Sequence, residues 1–296
     1  MTQHLAAMRA ALGLFIAGGL CLTTLDAVGK ILMSEVGLPL LIWARYLGQV
    51  LISVPLSATF AGAEFWRSTK PRLQLFRSFL MLMTSVLFFA GIHWLPLAEA
   101  SAISFTAPIW VALLSAPILG ERVAKMDWWV AGIGFSGILL IVRPGTEIFH
   151  SAALLIGMMA IVNAIFQLLT RKLTQDHPFT TFFYSGLVGL VVSSIWILII
   201  GIDTPVSWPT ILRLASVGLL GGMGHLFFVL AFYRASPATL TPFVYLQMIW
   251  AIGLGWLIFD QLPDLWSLLG MAIIIGSGLW LILHRHRTPA PAVSKT

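Results

Sequence analysis

The sequence predicts an all-α membrane protein in which ten transmembrane helices form two inverted five-helix repeats. Three observations carry that expectation. Of the 296 residues, 59% are hydrophobic and only 9% are charged, too few polar side chains to cover a soluble domain. Runs without Asp, Glu, Lys or Arg extend over 46–63, 78–98, 100–120, 151–170, 179–202, 214–233 and 235–259. Each is about the 17–25 residues that a spanning helix needs, and runs this apolar and unalternating take helical form in lipid. Finally, the hairpin Leu97–Val142, an apolar span followed by a charged break and a glycine-studded span, returns about 139 residues later at Ser236–Leu283.

The first span, 10–32, ends near Met33, and SEVGLP leads into a second span that carries Arg45 near its outer end. The loop EFWRSTKPR is the most polar break. A third helix over about 73–92 turns through HWLP into the fourth, and the fifth stops at Arg143-Pro144-Gly145, where proline and glycine end a helix. Residues 1–146 form the first repeat and 147–296 the second. There the sixth helix ends at Thr170-Arg171-Lys172, the seventh starts at Pro178, and the eighth stops before Arg234. The ninth and tenth replay the fourth and fifth: Ala98 matches Ala238, Ile109-Trp110 matches Ile249-Trp250, and Glu121 matches Asp260. Five spans per unit invert the second unit relative to the first, a transporter architecture with a site at the repeat interface and two exchangeable openings.

The formal charge of +6 is a topology signal. Arg9, Arg67, Lys70, Arg72, Arg122, Lys125, Arg171, Lys172, Arg234, Arg285, Arg287 and Lys295 fall on one side, whereas Glu35, Glu147, Asp203, Asp260 and Asp264 gather opposite with Arg143 and Arg213. The positive-inside rule places both termini in the cytoplasm and excludes a nucleic-acid reading of the charge. Cys21 is the single cysteine, so no intrachain disulfide or multi-cysteine metal site forms, and the first apolar run continues through Asp26 and Lys30 as a retained helix.

Packing residues are expected at Gly132, Gly134, Gly137, Gly218, Gly222, Ala251 and Gly255, where small side chains let helices approach. Trp43, Trp94, Trp128, Trp129 and Trp266 fall at span ends as interfacial anchors. Intramembrane polar groups are the functional candidates, because a charge at a span centre costs roughly 2.5–3.5 kcal/mol. Asp26 and Lys30 are four apart on one helix face and can pair; with Arg45 competing for Asp26 they form a candidate gate or proton-coupling group. Asn163 and Gln167 face the interior if Leu168 and Leu169 face lipid. His225, Tyr245 and Gln247 add polar groups, and Phe105, Trp110 and Trp250 add aromatic surface for a substrate. Glu99 reads as a helix cap, and Glu121, Arg122, Lys125 and Asp127 as a solvated hinge.

PIWVALLSAPILGERVAKMDWWVAGIGFSGILLIVRPG resembles the end of the EamA repeat of the drug/metabolite transporter superfamily, and PFVYLQMIWAIGLGWLIFDQLPDLWSLLGMAIIIGSG resembles its second copy. LDAVGKIL and IWARYLG are similar to the branch that includes bacterial amino-acid exporters and carriers for S-adenosylmethionine and riboflavin. The resemblance implies a ten-helix inner-membrane carrier whose first, third, fourth, sixth, eighth and ninth helices line a cavity, with the fifth and tenth as braces. Asp260-Gln261 stands where the first repeat has Glu121-Arg122, so the hinges differ. The expected activity is alternating-access movement of a small organic metabolite, amino-acid export first and uptake of S-adenosylmethionine- or riboflavin-like solutes as the alternative. No ATP-binding loop, resident cofactor, metal ion or nucleic-acid partner is expected, and the oligomeric state is not legible. Gly134-Phe135-Ser136-Gly137 with His225 keeps an intramembrane serine hydrolase as a remote alternative, and a passive channel is a second.

Overall fold

The computed structural model describes residues 2–120, 125–144, 150–201, 206–235 and 240–287. Glu121, Arg122, Glu147, Asp203 and Lys295 therefore lie outside the described residues. Among those described, every regular element is helical.

Thr2–Ala61 is one helical stretch broken at Gly37, whose φ of 72° and ψ of 171° leave helical space at little cost only because the residue lacks a Cβ. The two legs, α1 (2–36) and α2 (38–61), run in opposite directions. Gly18 and Leu25 on α1 meet Gly224 and Gly221 on α8 (Trp208–Arg234), while Gly48 and Ile52 on α2 meet Gly218 and Gly222. Between them come α3 (Pro71–Ile92), α4 (Leu97–Leu119), α5 (Lys125–Val142), α6 (Ala152–Arg171) and α7 (Pro178–Ile200). A 3₁₀ turn, Thr241–Tyr245, starts α9, which continues as Leu246–Phe259, and α10 is Leu265–Arg287. Among the described residues seven helical stretches are long and apolar enough to cross a bilayer, the first of them containing both legs, and the last two spans are shorter. Two irregularities were not expected: α4 breaks between Ser104 and Ala107, and α9 opens as a 3₁₀ turn.

Small residues set the tightest crossings. A Cβ at Gly48 would stand 2.2 Å from the carbonyl carbon of Gly218, so α2 and α8 meet backbone to backbone. Gly137 and Gly270 do the same for α5 and α10, and Gly134 seats Ile109 of α4. Gly132 corrects the expectation, since nothing lies within 4 Å of its missing Cβ. Trp94, Trp128, Trp129 and Trp266 are exposed at helix ends, but Trp43 turns inward and donates from Nε1 to Ser194 Oγ on α7 at 3.0 Å. Asp127 is buried, not solvated.

The two ends of the described chain share one face of the bundle, the terminal face. The opposite face is stitched by polar contacts. Glu99 does not cap α4, whose cap residue is Pro96; its Oε1 accepts from Ser267 Oγ on α10 at 2.9 Å. Arg143 pairs with Asp264 at 2.6 Å. The Ser267 amide and the Arg143 guanidinium hold the Asp264 carboxyl below the usual carboxylate range.

Candidate functional site

The two repeats meet at their own irregularities. Phe105, at the break in α4, and Tyr245, at the end of the 3₁₀ turn, are 140 positions apart and occupy the same place in the two repeats. Their rings touch edge to face, with centroids 6.1 Å apart. Residues related by a two-fold that touch each other lie on its axis, so this contact marks the centre of the repeat interface.

A second such pair supplies the polar chemistry. Ser85 on α3 and His225 on α8 are also 140 apart. The guanidinium of Arg45 on α2 bridges them, donating from Nη1 to Ser85 Oγ and from Nη2 to His225 Nε2 at 3.3 Å. A guanidinium can only donate, so His225 Nε2 accepts and the ring is neutral. Tyr46, fully buried, shares Ser85 at 3.0 Å and donates to the Met81 carbonyl at 3.2 Å, which fixes the hydroxyl under the arginine. Arg45 Nε is buried with no partner among the described residues. In the second repeat the corresponding stretch, 139–141 further on, is Tyr184-Ser185-Gly186, so only one repeat supplies this charge.

Asp26 on α1 lies within electrostatic reach of Arg45, but no ion pair or hydrogen bond to its carboxylate occurs among the described residues. The anticipated Asp26–Lys30 pair is not formed. Lys30, one and a half turns from the end of α1, extends to the Leu95 carbonyl in the turn after α3 and lies 5.1 Å from the centroid of the Phe259 ring. A carbonyl outside regular helical bonding and an aromatic face thus take the ammonium, and they tie α1 to α3 and α9 at the opposite face.

Other candidate residues divide. Leu168 and Leu169 are buried, which overturns the premise used to orient α6. The helix itself supplies a better guide. Leu154 (66% exposed) and Met158 (50%) mark its outward face. Asn163 and Gln167 each follow one of them by nine residues, two and a half turns, and so occupy the other side. Gln167 is exposed there and Asn163 half-buried, as expected of an opening on the terminal face. Gln247 packs over Gly19 of α1. Trp250 holds its Nε1 buried and unpartnered among the described residues, and Trp110 is half-buried beyond the break in α4. Tyr245 sets its hydroxyl against Gly278 of α10, buried and without a hydrogen-bond partner among the described residues. The structure does not pair Ser136 with His225, because Ser136 Oγ donates to the Ile133 carbonyl of its own helix at 2.7 Å.

Sequence reasoning missed Arg77. It is buried on α3 and donates from Nε to Thr170 Oγ1 at 2.8 Å and from Nη1 to Ser185 Oγ and to the Thr181 carbonyl. Its guanidinium carbon lies 4.3 Å from the centroid of the Phe166 ring. The signal was present, since Arg77 is three residues after Gln74 inside a span, but Arg72 nearby made both look like loop charge.

Residues 9–143 and 150–283 each match the EamA-like transporter family. The chain is 24% identical to an S-adenosylmethionine uptake transporter of Rickettsia conorii, over 95% of both sequences. It is 27% identical to a riboflavin transporter of Rhizobium johnstonii, over 93% of this chain and 92% of the relative. A pseudopaline exporter of Pseudomonas aeruginosa shares 28% over 73% of this chain and 76% of its own. A solved crystal structure with 15% identity superposes with a TM-score of 0.67 over 95% of this chain and 99% of that one, a likeness of fold.

Proposed function

The chain belongs to the EamA-like transporter family, and from that premise we propose that it carries a cofactor-like organic solute, of the S-adenosylmethionine or riboflavin kind, by alternating access. That it is a multi-pass membrane transporter follows from the family and from the apolar helices. Amino-acid export, the first expectation from sequence, has less support than its alternative: two of these relatives are named for S-adenosylmethionine uptake and riboflavin.

The observation that carries the reading is Arg45 bridging Ser85 and His225, residues at equivalent positions of the two repeats, with Asp26 in electrostatic reach. Buried charges without full partners are costly, and in transporters they mark the substrate path. We assign Phe105, Trp110 and Trp250 to the remainder of the solute, one that joins a charged head to a flat ring. The stitched opposite face and exposed Gln167 fit a carrier open toward the terminal face. Among described loop residues, Arg67, Lys70 and Lys172 lie on that face, whereas Arg143 and Arg213 opposite are neutralised by Asp264 and Glu35. By the positive-inside rule this asymmetry supports a cytoplasmic terminal face.

Proteoliposome counterflow tests this. Saturable uptake of S-adenosylmethionine or riboflavin, accelerated by the same solute inside, is expected. Flux confined to aromatic or threonine-like amino acids overturns the substrate class, and flux without acceleration overturns the carrier.

A further inference from the structure

We propose that Arg45 is the docking point for a carboxylate of the carried solute, with Asp26 receiving the cationic group beside it. The inference rests on the carrier reading above and names the head group that the central site selects.

Three features converge on it. Arg45 is buried, yet its partners are a serine hydroxyl and a neutral imidazole, and its Nε has none among the described residues. A guanidinium offers five donors in a planar fork, and its strongest complement is a carboxylate oxygen pair. The second feature is local: Asp26 is the acid in electrostatic reach of Arg45, Leu25 and Arg45 both pack on Gly221, and yet Asp26 makes no ion pair or hydrogen bond with the guanidinium among the described residues. Glu99 is held by Ser267 near the opposite face, Lys30 is spent on the Leu95 carbonyl, and Arg77 is ringed by hydroxyls and a carbonyl. Asp26 balances Arg45 in charge without touching it, so a zwitterionic solute can set its carboxylate against the guanidinium and its cation against Asp26 and leave the net charge of the site unchanged. The third is asymmetry. Ser85 and His225 hold equivalent places, whereas Arg45 has no charged counterpart in the second repeat, so the charge is not a bracing element that both halves need.

A carboxylate entering from the terminal face would take Arg45 Nε and an Nη while Ser85 and His225 keep the fork oriented. Asp26, with no hydrogen bond of its own among the described residues, then lies beside the solute's ammonium or other cation. The site therefore selects a zwitterionic head, and the aromatic residues take the remainder.

The test uses the full-length chain, in detergent and in proteoliposomes, with four probes: S-adenosylmethionine, its decarboxylated analogue, L-methionine and riboflavin. Binding is read by thermal stabilisation, and transport by counterflow. S-adenosylmethionine is expected to bind about tenfold or more tightly than the decarboxylated analogue, the cost of losing hydrogen bonds to a charged group. Arg45→Gln should abolish that preference and Arg45→Lys retain part of it. Because the analogue comparison is made on the unmutated protein, it stands even if Arg45→Gln does not fold. Equal binding of the two adenosyl compounds, or a preference that survives in Arg45→Gln, overturns the proposal while leaving the carrier intact. Transport of riboflavin alone does the same, since that solute has no carboxylate. Absence of saturable flux for all four overturns the carrier reading and this inference with it.

Discussion

Two clasps, one on each face, join the repeats at equivalent positions by different chemistry. On the opposite face Glu35, at the end of α1, binds the start of α8: Arg213 Nη1 at 2.5 Å and Thr210 Oγ1 at 3.2 Å. On the terminal face Asp176, in the turn between α6 and α7 and 141 positions on, binds the start of α3. There it accepts from Ser68 Oγ at 2.5 Å, Thr69 N at 2.8 Å, Thr69 Oγ1 at 2.7 Å and Gln74 Nε2 at 2.9 Å. Each acid reaches from its own repeat to the third helix of the other, and Gln74 and Arg213 are 139 apart. Asp176 is only 8% exposed and has neutral donors; the Glu35 and Arg213 side chains are 30% and 38% exposed. The repeat thus preserves the position of an acceptor but not its environment, and environment sets the energy. A buried carboxylate with four hydrogen bonds is costly to disturb, whereas a half-buried ion pair still competes with water and salt.

Asp176→Ala breaks the comparison most severely. It leaves the buried Gln74 amide with one acceptor, Thr181 Oγ1 at 2.9 Å, and removes the anchor of the Ser68-Thr69 turn. A loss of roughly 3 kcal/mol is expected from these charge-assisted bonds, read as a lower thermal midpoint of the purified protein. A midpoint unchanged within error would show that the terminal-face clasp carries no more energy than its half-buried counterpart.

Acid sharpens the same contrast with no mutation. Burial raises the Asp176 carboxyl, but the hydrogen bonds from Ser68, Thr69 and Gln74 outweigh it and hold the group below the ordinary carboxylate range. A depressed folded-state pKa means that the clasp contributes fully above the unfolded value, about 3.9, and is lost as pH falls from there through the folded value. Stability should therefore decline below about pH 4, and Asp176→Asn should decline less over that window. Parallel acid profiles for the two proteins would exclude Asp176 as the source.

The clasps also show what the sequence could convey. Spans, repeats and matched pairs such as Ile109-Trp110 with Ile249-Trp250 were legible because they rest on apolar length and spacing, which lipid enforces. The site was legible only as a set of candidates. Arg45 and His225 could be nominated, but Ser85 and His225 share a place without sharing chemistry, so their common partner could not be read. Asp26 and Lys30 had ideal spacing for a pair, yet helix spacing says only what can meet; a free carbonyl across the bundle won the ammonium. Arg77 was hidden because one charge near the end of a span looks the same whether it turns outward to headgroups or inward to Thr170, Thr181 and Ser185.

Glu35→Gln should have the smallest effect. The substitution keeps an acceptor for Thr210 and Arg213 and removes only the charge. For a pair that water still reaches, the loss is about 1 kcal/mol or less, because solvent screens both groups and the side chains give up freedom to meet. Salt provides the internal control. With a screening length of about 8 Å at physiological ionic strength and about 3 Å at 1 M, the difference between Glu35→Gln and the unmodified protein should shrink toward zero in high salt. The penalty of Asp176→Ala, resting on buried short-range bonds, should persist. If both penalties fall together with salt, the two clasps are alike in kind and burial does not separate them.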